Sequence, residues 1–148
     1  MPAIERVFIK KLNEHAILPL YATEGSSGAD LYACIDSPIT IKAGGFAMIS
    51  TGIAMAITSG FEVQIRSRSG LAAKNGIFVL NGVGTIDSDY RGEIKVILAN
   101  FSQTDFAIEN KMRIAQMVLT TYTKANFEIT NNLDSTTRGE GGFGSSGL

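Results

Sequence analysis

The chain has 148 residues, a formal net charge of −1 from 13 Lys and Arg against 14 Asp and Glu, one His, one Cys, no Trp and 16 Gly. That length suits one domain with its own core, and the charge balance gives no sequence-wide reason to expect nucleic acid or an anionic membrane as partner. One Cys excludes an intramolecular disulfide framework, and Cys34 with His15 cannot build a Cys/His zinc site alone, so hydrolytic chemistry falls to carboxylates, hydroxyls, arginines and an oxygen-ligated metal.

The opening residues, Met1 to Leu12, mix charged and apolar side chains and lack the apolar core and cleavage site of a leader; within them Val7–Leu12 reads as a strand. Strands are also expected at Ile39–Lys42 and Phe46–Ile57. From Ala43 to Phe61 the chain runs nineteen residues without a charge, long enough to suggest a membrane span. Gly44, Gly45, Gly52 and Gly60, with Ser50, Thr51, Thr58 and Ser59, cut that run into pieces, so strands joined by turns are expected in a soluble, cytoplasmic protein. In that setting the Asn100-Phe101-Ser102 sequon carries no glycosylation meaning. Phe61, Val63 and Ile65 alternate with Glu62, Gln64 and Arg66, the period of a half-buried strand.

Only Ser69-Gly70-Leu71-Ala72-Ala73-Lys74-Asn75-Gly76 reads as helix, with Ser69 to cap its first turn and Gly76 to end it. Asn81 to Val96 reads as a β-hairpin around an Asp-Ser-Asp turn. Gly92–Asn100, Met112–Tyr122 and Phe127–Thr130 complete the strands. Many short strands and one brief helix indicate an all-β sandwich, jelly roll or barrel-like domain. Residues 134–148 hold five glycines and two large apolar residues, too little to fold alone, which divides the chain into a body (1–133) and a flexible arm (134–148).

Several segments can carry chemistry, each beside a plainer reading. Gly139, Gly141 and Gly144 match G-x-G-x-x-G, but four residues remain after Gly144 and no helix can follow, so a dinucleotide fingerprint is rejected. The same run with Arg138, Ser145 and Ser146 can wrap a phosphate chain and Phe143 can stack on a flat ring; it can equally be a free end. Arg68-Ser69-Gly70-Leu71-Ala72 offers a hydroxyl and backbone N–H groups to an anion, or is simply a capped helix. The hairpin could offer its main chain to a base edge with Asp87 and Tyr90 at its end, or be a polar turn. Asp30 is a turn acceptor or holds a hydrated metal. Gln116 interrupts a strand-like run.

In this order the segments Gly28-Ala29-Asp30-Leu31-Tyr32-Ala33, Arg68-Ser69-Gly70-Leu71-Ala72, Asn81 to Gly92, Arg113-Ile114-Ala115-Gln116-Met117 and Arg138 to Gly147 resemble the five motifs of the trimeric dUTP pyrophosphatase (dUTPase) family, over nearly the whole chain. The resemblance implies a distorted jelly roll of β-clip type with one short helix and a flexible C-terminal arm. It implies hydrolysis of dUTP to dUMP and diphosphate, supplying dUMP for dTMP synthesis and keeping uracil out of DNA. Mg²⁺ is then held mainly by the substrate phosphates, with Asp30 reaching it only through water. Asp87 positions and deprotonates the water that attacks the α-phosphorus; Tyr90 packs on deoxyribose; Asn81, Thr85, Ile86 and Lys95 read uracil. Arg68, Ser69 and Gly70 hold the phosphates, with Gln116 adding a contact.

The arm closes with Phe143 over uracil and Arg138, Ser145 and Ser146 on the γ-phosphate, with Gly144 also binding substrate. The implied assembly is a homotrimer with sites shared between subunits, and neither nucleic acid nor membrane is a partner. Two departures stand out. Ser67 replaces the usual Pro, which implies a looser turn with its ligands kept, and Lys111-Met112 replaces Gly-Asp before Arg113. A dCTP deaminase of related fold would need a glutamate in the hairpin where Asp87-Ser88-Asp89-Tyr90 stands; a non-catalytic β-rich interaction domain would not need Asp87, Ser69, Tyr90 and the arm together.

Overall fold

A computed structural model describes residues 4–145. Period-two alternation and glycine turns give eleven short strands: β1 (Phe8–Lys11), β2 (Leu20–Tyr21), β3 (Ala29–Tyr32), β4 (Ile39–Ile41), β5 (Phe46–Ala56), β6 (Phe61–Arg66), β7 (Ile77–Val79), β8 (Gly84–Ile86), β9 (Glu93–Asn100), β10 (Phe106–Ile108) and β11 (Arg113–Thr121). The one helix among the described residues, α1 (Ser69–Asn75), precedes β7. Two antiparallel sheets, ordered β1-β5-β9-β7 and β2-β3-β11-β6-β8, are joined by a small β10-β4 pair. Their inward residues, among them Ile49, Ile53, Ile94 and Leu98 from one sheet and Leu31, Val63, Ile65 and Ile114 from the other, form a single buried cluster. Each such side chain, removed from water, contributes about 1.5–3 kcal/mol, and this shared interior holds the layers in register. The result is a jelly-roll-like all-β fold, as the sequence indicates. No helix among the described residues is long and apolar enough to cross a membrane.

The uncharged run is mostly β5, which continues past Gly52 through a bulge where its pairing with β9 shifts between Ser50 and Ala54. Gly52 has φ +68°, and a Cβ there would lie 2.9 Å from Cys34 Sγ and 3.0 Å from the Ala16 methyl. Only glycine fits that backbone in that space.

Three local expectations are corrected. Ser69 is not the cap of α1: Arg68 occupies that position without a side-chain cap bond, whereas Gly76, at φ 66°, does end the helix. Asn100 of the sequon, of which no such role was expected, is buried, its amide donating to the carbonyls of Ile41 (3.0 Å) and Thr104 (2.8 Å). Phe127–Thr130 joins no sheet, and Phe127 and Ile129 are almost wholly exposed. The hairpin also splits. Ile77–Val79 pairs with Leu98–Asn100 in one sheet, but beyond Leu80 the chain leaves and β8 pairs with β6 in the other, Thr85 opposite Gln64. Gly84 permits this, since a Cβ there would meet the Ile65 Cβ at 3.0 Å. The two arms therefore splay and leave a cleft between them.

Candidate functional site

The cleft is a cavity of about 460 Å³ lined by Met48, Thr85, Ile86, Asp87, Tyr90, Glu93, Lys95 and Ile97. A tight turn closes its end: the Tyr90 N–H donates to the Asp87 carbonyl at 3.1 Å, and the Arg91 guanidinium donates to the carbonyls of Ser88 (2.6 Å) and Tyr90 (2.9 Å). The Tyr90 hydroxyl donates to the Glu93 carbonyl at 3.0 Å, laying the ring along the returning chain. Gly92 makes this possible, because a Cβ there would collide with the Tyr90 hydroxyl. Asp87 is exposed, and no described residue donates a hydrogen bond to its carboxylate. Asn81 stands in the turn before β8 and is not part of the lining.

A second cavity, of about 290 Å³, gathers three other segments: Ala22, Ser26, Ser27, Gly28, Asp30, Arg68, Ser69, Gly70, Arg113 and Gln116 line it. Strand register explains the gathering. Asp30 on β3 pairs with Gln116 on β11, which pairs with Arg66 on β6, so the chain that continues into Arg68 arrives beside both. Asp30 binds two guanidiniums, Arg68 Nε at 2.9 Å and Arg113 at 3.4 Å. One carboxylate and two guanidiniums leave this cavity with an excess positive charge. Ser69 and Gly70 are exposed at the start of α1, where backbone N–H groups have no intrahelical partner. The cavity thus offers cations, a hydroxyl and N–H donors to an anion.

Gln116 packs over Gly28, where a Cβ would collide with its Oε1, and its amide donates to the Ser67 carbonyl at 3.0 Å. The Ser67 hydroxyl in turn accepts the Val79 N–H at 2.8 Å. The turn expected to be loosened by Ser67 is therefore tied on two sides. At the other departure Lys111 holds φ 66°, a left-handed backbone, with its N–H donating to the Ala33 carbonyl at 2.8 Å.

The two cavities share no residue, and the strands that carry Asp30 and Thr85 stand three steps apart in one sheet, about 14 Å at ordinary strand spacing. The arm lines neither. The last sheet-side bond is Tyr122 N–H to the Gly60 carbonyl at 3.2 Å, and every described residue from 123 onward is exposed except Gly141 and Gly142. Arg138 donates to the Gly141 carbonyl at 2.8 Å, and Phe143 is fully exposed. Gly144 has φ +90°, and Ser145 donates its N–H to the Gly142 carbonyl at 3.0 Å; Ser146 lies outside the described residues.

Among the described residues no three His, Cys, Asp or Glu side chains converge as a metal cage. Both Asp30 oxygens already face guanidiniums. With both oxygens so engaged and the cavity net positive, these residues do not build a cation site alone, and a hard cation such as Mg²⁺ there would need its ligands chiefly from elsewhere. Sequence reasoning missed Arg113, Glu93 and Ser67 as parts of the site. Arg113 and Glu93 were visible as charges opening apolar strands, and Ser67 as a hydroxyl beside Arg68.

The dUTPase family model matches residues 14–147. A protein of Rickettsia bellii (strain OSU 85-389) named deoxyuridine 5'-triphosphate nucleotidohydrolase is 57% identical over 146 residues, covering 98% of this chain and 97% of its own. One of the same name from Orientia tsutsugamushi (strain Ikeda) is 57% identical over 131 residues, 88% of each chain. Among solved structures, the Staphylococcus bacteriophage 80alpha dUTPase with dUPNHPP superposes with a TM-score of 0.88 at 23% identity, covering 98% of this chain and 100% of its own. A mutant of the dUTPase from phage phi11 of S. aureus, described with a structural Mg(II) ion, gives 0.79 at 18% identity, covering 88% of this chain and 100% of its own. At those identities the superpositions show the fold.

Proposed function

This chain belongs to the dUTPase family, and from that premise we propose that it hydrolyses dUTP to dUMP and diphosphate in the cytoplasm, at sites shared between the subunits of a homotrimer. The observation that carries this reading is the division of labour between the cavities. One holds a free carboxylate beside an aromatic ring and the main chain of a splayed hairpin; the other holds cations and N–H donors. A base that activates water must lie within hydrogen-bond reach of it, yet Asp87 and Arg68 leave the antiparallel pair β8 and β6 at opposite ends, and Asp30 stands three strands from Thr85, about 14 Å away within one chain. A neighbouring subunit supplies the missing half, and the arm, whose described residues line neither cavity, can close a third subunit's site.

In such a site uracil enters the cleft, where the main chain around Thr85 and Ile86, with Asn81 and Lys95, reads its edge. Tyr90 packs on the deoxyribose and leaves no room for a 2′-hydroxyl. Arg68, Ser69 and Gly70 bind the phosphates, Gln116 adds a donor, and Asp30 keeps Arg68 in place. Bound Mg²⁺, carried by the phosphates, supplies charge neutralisation. Asp87 orients a water and takes its proton as the oxygen bonds to the α-phosphorus and the bridge to the β-phosphate breaks, releasing diphosphate. Placement contributes more than basicity, since a carboxylate is a weak base. Phe143 covers uracil, and Arg138, Gly144, Ser145 and Ser146 enclose the γ-phosphate and exclude bulk water. The product dUMP feeds dTMP synthesis, and removal of dUTP keeps uracil out of DNA.

Diphosphate release measured with dUTP, dCTP, dTTP and UTP, with and without Mg²⁺, tests this. Rapid Mg²⁺-dependent release from dUTP alone is expected. Ammonia from dCTP, or dUTP binding without turnover, would overturn it.

A further inference from the structure

We infer that Glu93 is a positioning residue that sets how tightly the sugar is gated; the inference rests on the assignment of Tyr90 to deoxyribose. Glu93 opens β9 and takes part in both of its neighbours' geometry. Its backbone carbonyl accepts the Tyr90 hydroxyl at 3.0 Å. Its carboxylate Oε1 accepts the N–H of Gly52 at 3.1 Å, across the sheet in the bulge of β5. Gly52 is itself closely packed, with φ +68° and Cys34 and Ala16 standing where a Cβ would be.

The side chain therefore fastens the first residue of β9 to a closely packed point in the next strand, at the place where the register shift between Ser50 and Ala54 interrupts the ordinary ladder. A third cavity, of about 470 Å³, is lined by Leu12, Cys34, Asp36, Ser50 and Glu93 among others, so Glu93 borders open space here as well as in the cleft. The other carboxylate oxygen stands 3.6 Å from Lys95 Nζ, a looser contact with an exposed partner. The Gly52 bond adds a side-chain tie to the single ladder pairing, Glu93 opposite Ala54, beside the carbonyl that accepts Tyr90. Once it is lost, the ring is free to recede and a ribose 2′-hydroxyl gains room.

The test compares dUTP and UTP turnover in the full-length Glu93→Gln, Glu93→Asp and Glu93→Ala proteins, with thermal melting as a check on folding. Gln keeps an acceptor at the same reach; Asp keeps the charge but is one methylene too short. Glu93→Gln should keep the wild-type dUTP to UTP ratio of kcat/KM. Glu93→Asp and Glu93→Ala should lower it about three- to tenfold, the loss of one ordinary hydrogen bond. The fall should come from faster UTP hydrolysis, whereas a general folding defect slows both substrates alike. If Glu93→Ala fails to fold, Glu93→Asp against Glu93→Gln still decides. An unchanged ratio in Glu93→Asp, or a loss in Glu93→Gln, overturns the role. A wild-type enzyme with no preference for dUTP over UTP would instead overturn the reading of Tyr90 itself.

Discussion

Replacing Gly28 by Ala probes how the cationic cavity is assembled. Gly28 has no left-handed φ, so alanine suits its backbone and the effect is steric. The added methyl would collide with Gln116 Oε1 and stand 3.0 Å from its Cδ and 3.4 Å from its Cβ. The obstructing atoms are the far end of a flexible side chain, so the amide swings away and the core does not have to yield. The loss is then the 3.0 Å bond from Gln116 to the Ser67 carbonyl, about 1 kcal/mol of stability, well below the cost of an overpacked interior. Displacing Gln116 also removes a donor to the phosphates, which at about 1.5 kcal/mol lowers kcat/KM for dUTP about tenfold. Thermal melts and diphosphate release on Gly28→Ala, Gln116→Ala and the double variant measure both terms. In the Gln116→Ala background the methyl meets only the retained Cβ at 3.4 Å, an ordinary contact, so the Gly28→Ala penalty should almost vanish. Additive penalties would refute the reasoning, as would a Gly28→Ala enzyme with wild-type kcat/KM.

Lys111→Gly should relieve the left-handed backbone at φ 66°; about 1–2 kcal/mol of strain less the entropy of glycine leaves a gain of about 0.5–1 kcal/mol, a rise in Tm of about 2 °C at fixed protein concentration. The Cys34 thiol is pushed above its ordinary 9.0 by burial first and then by the Glu93 and Asp36 carboxylates, so at pH 7–8 it should react with a disulfide reagent more slowly than a free cysteine; fast labelling at neutral pH would contradict this. Deleting residues 138–148 should lower turnover severely while leaving the melting transition in place, since the described part of that segment makes no bond to the sheets.

Much of the fold was legible where one strand or turn decides for itself. The alternation of Phe61 to Arg66 marks β6, and the Gly76 stop marks the end of α1. Pairing was less legible. Asn81 to Val96 has the local chemistry of a hairpin, yet β8 turns to β6 because Gly84 fits against Ile65, a contact no local pattern encodes. Phe127 and Ile129 alternate like a strand but have no sheet to join within the chain. In the site, the order of the motifs named Asp30, Arg68, Asp87, Tyr90 and Gln116. It did not show that Asp30 clasps Arg68 and Arg113, or that Glu93 reaches Gly52, because those partners lie 38, 83 and 41 residues apart and meet only through strand register.

The claim that the two cavities are halves of one site formed between chains is tested most directly by complementation. Arg68→Ala spoils the phosphate half and Asp87→Asn the water-activating half, so each protein alone should be nearly inactive. Co-assembled from an equal mixture, chains that share sites across subunits should regain about a quarter of wild-type diphosphate release, since one site in about four draws each intact half from a different chain. A mixture as inactive as its components, with mixed trimers demonstrated, would contradict the shared site.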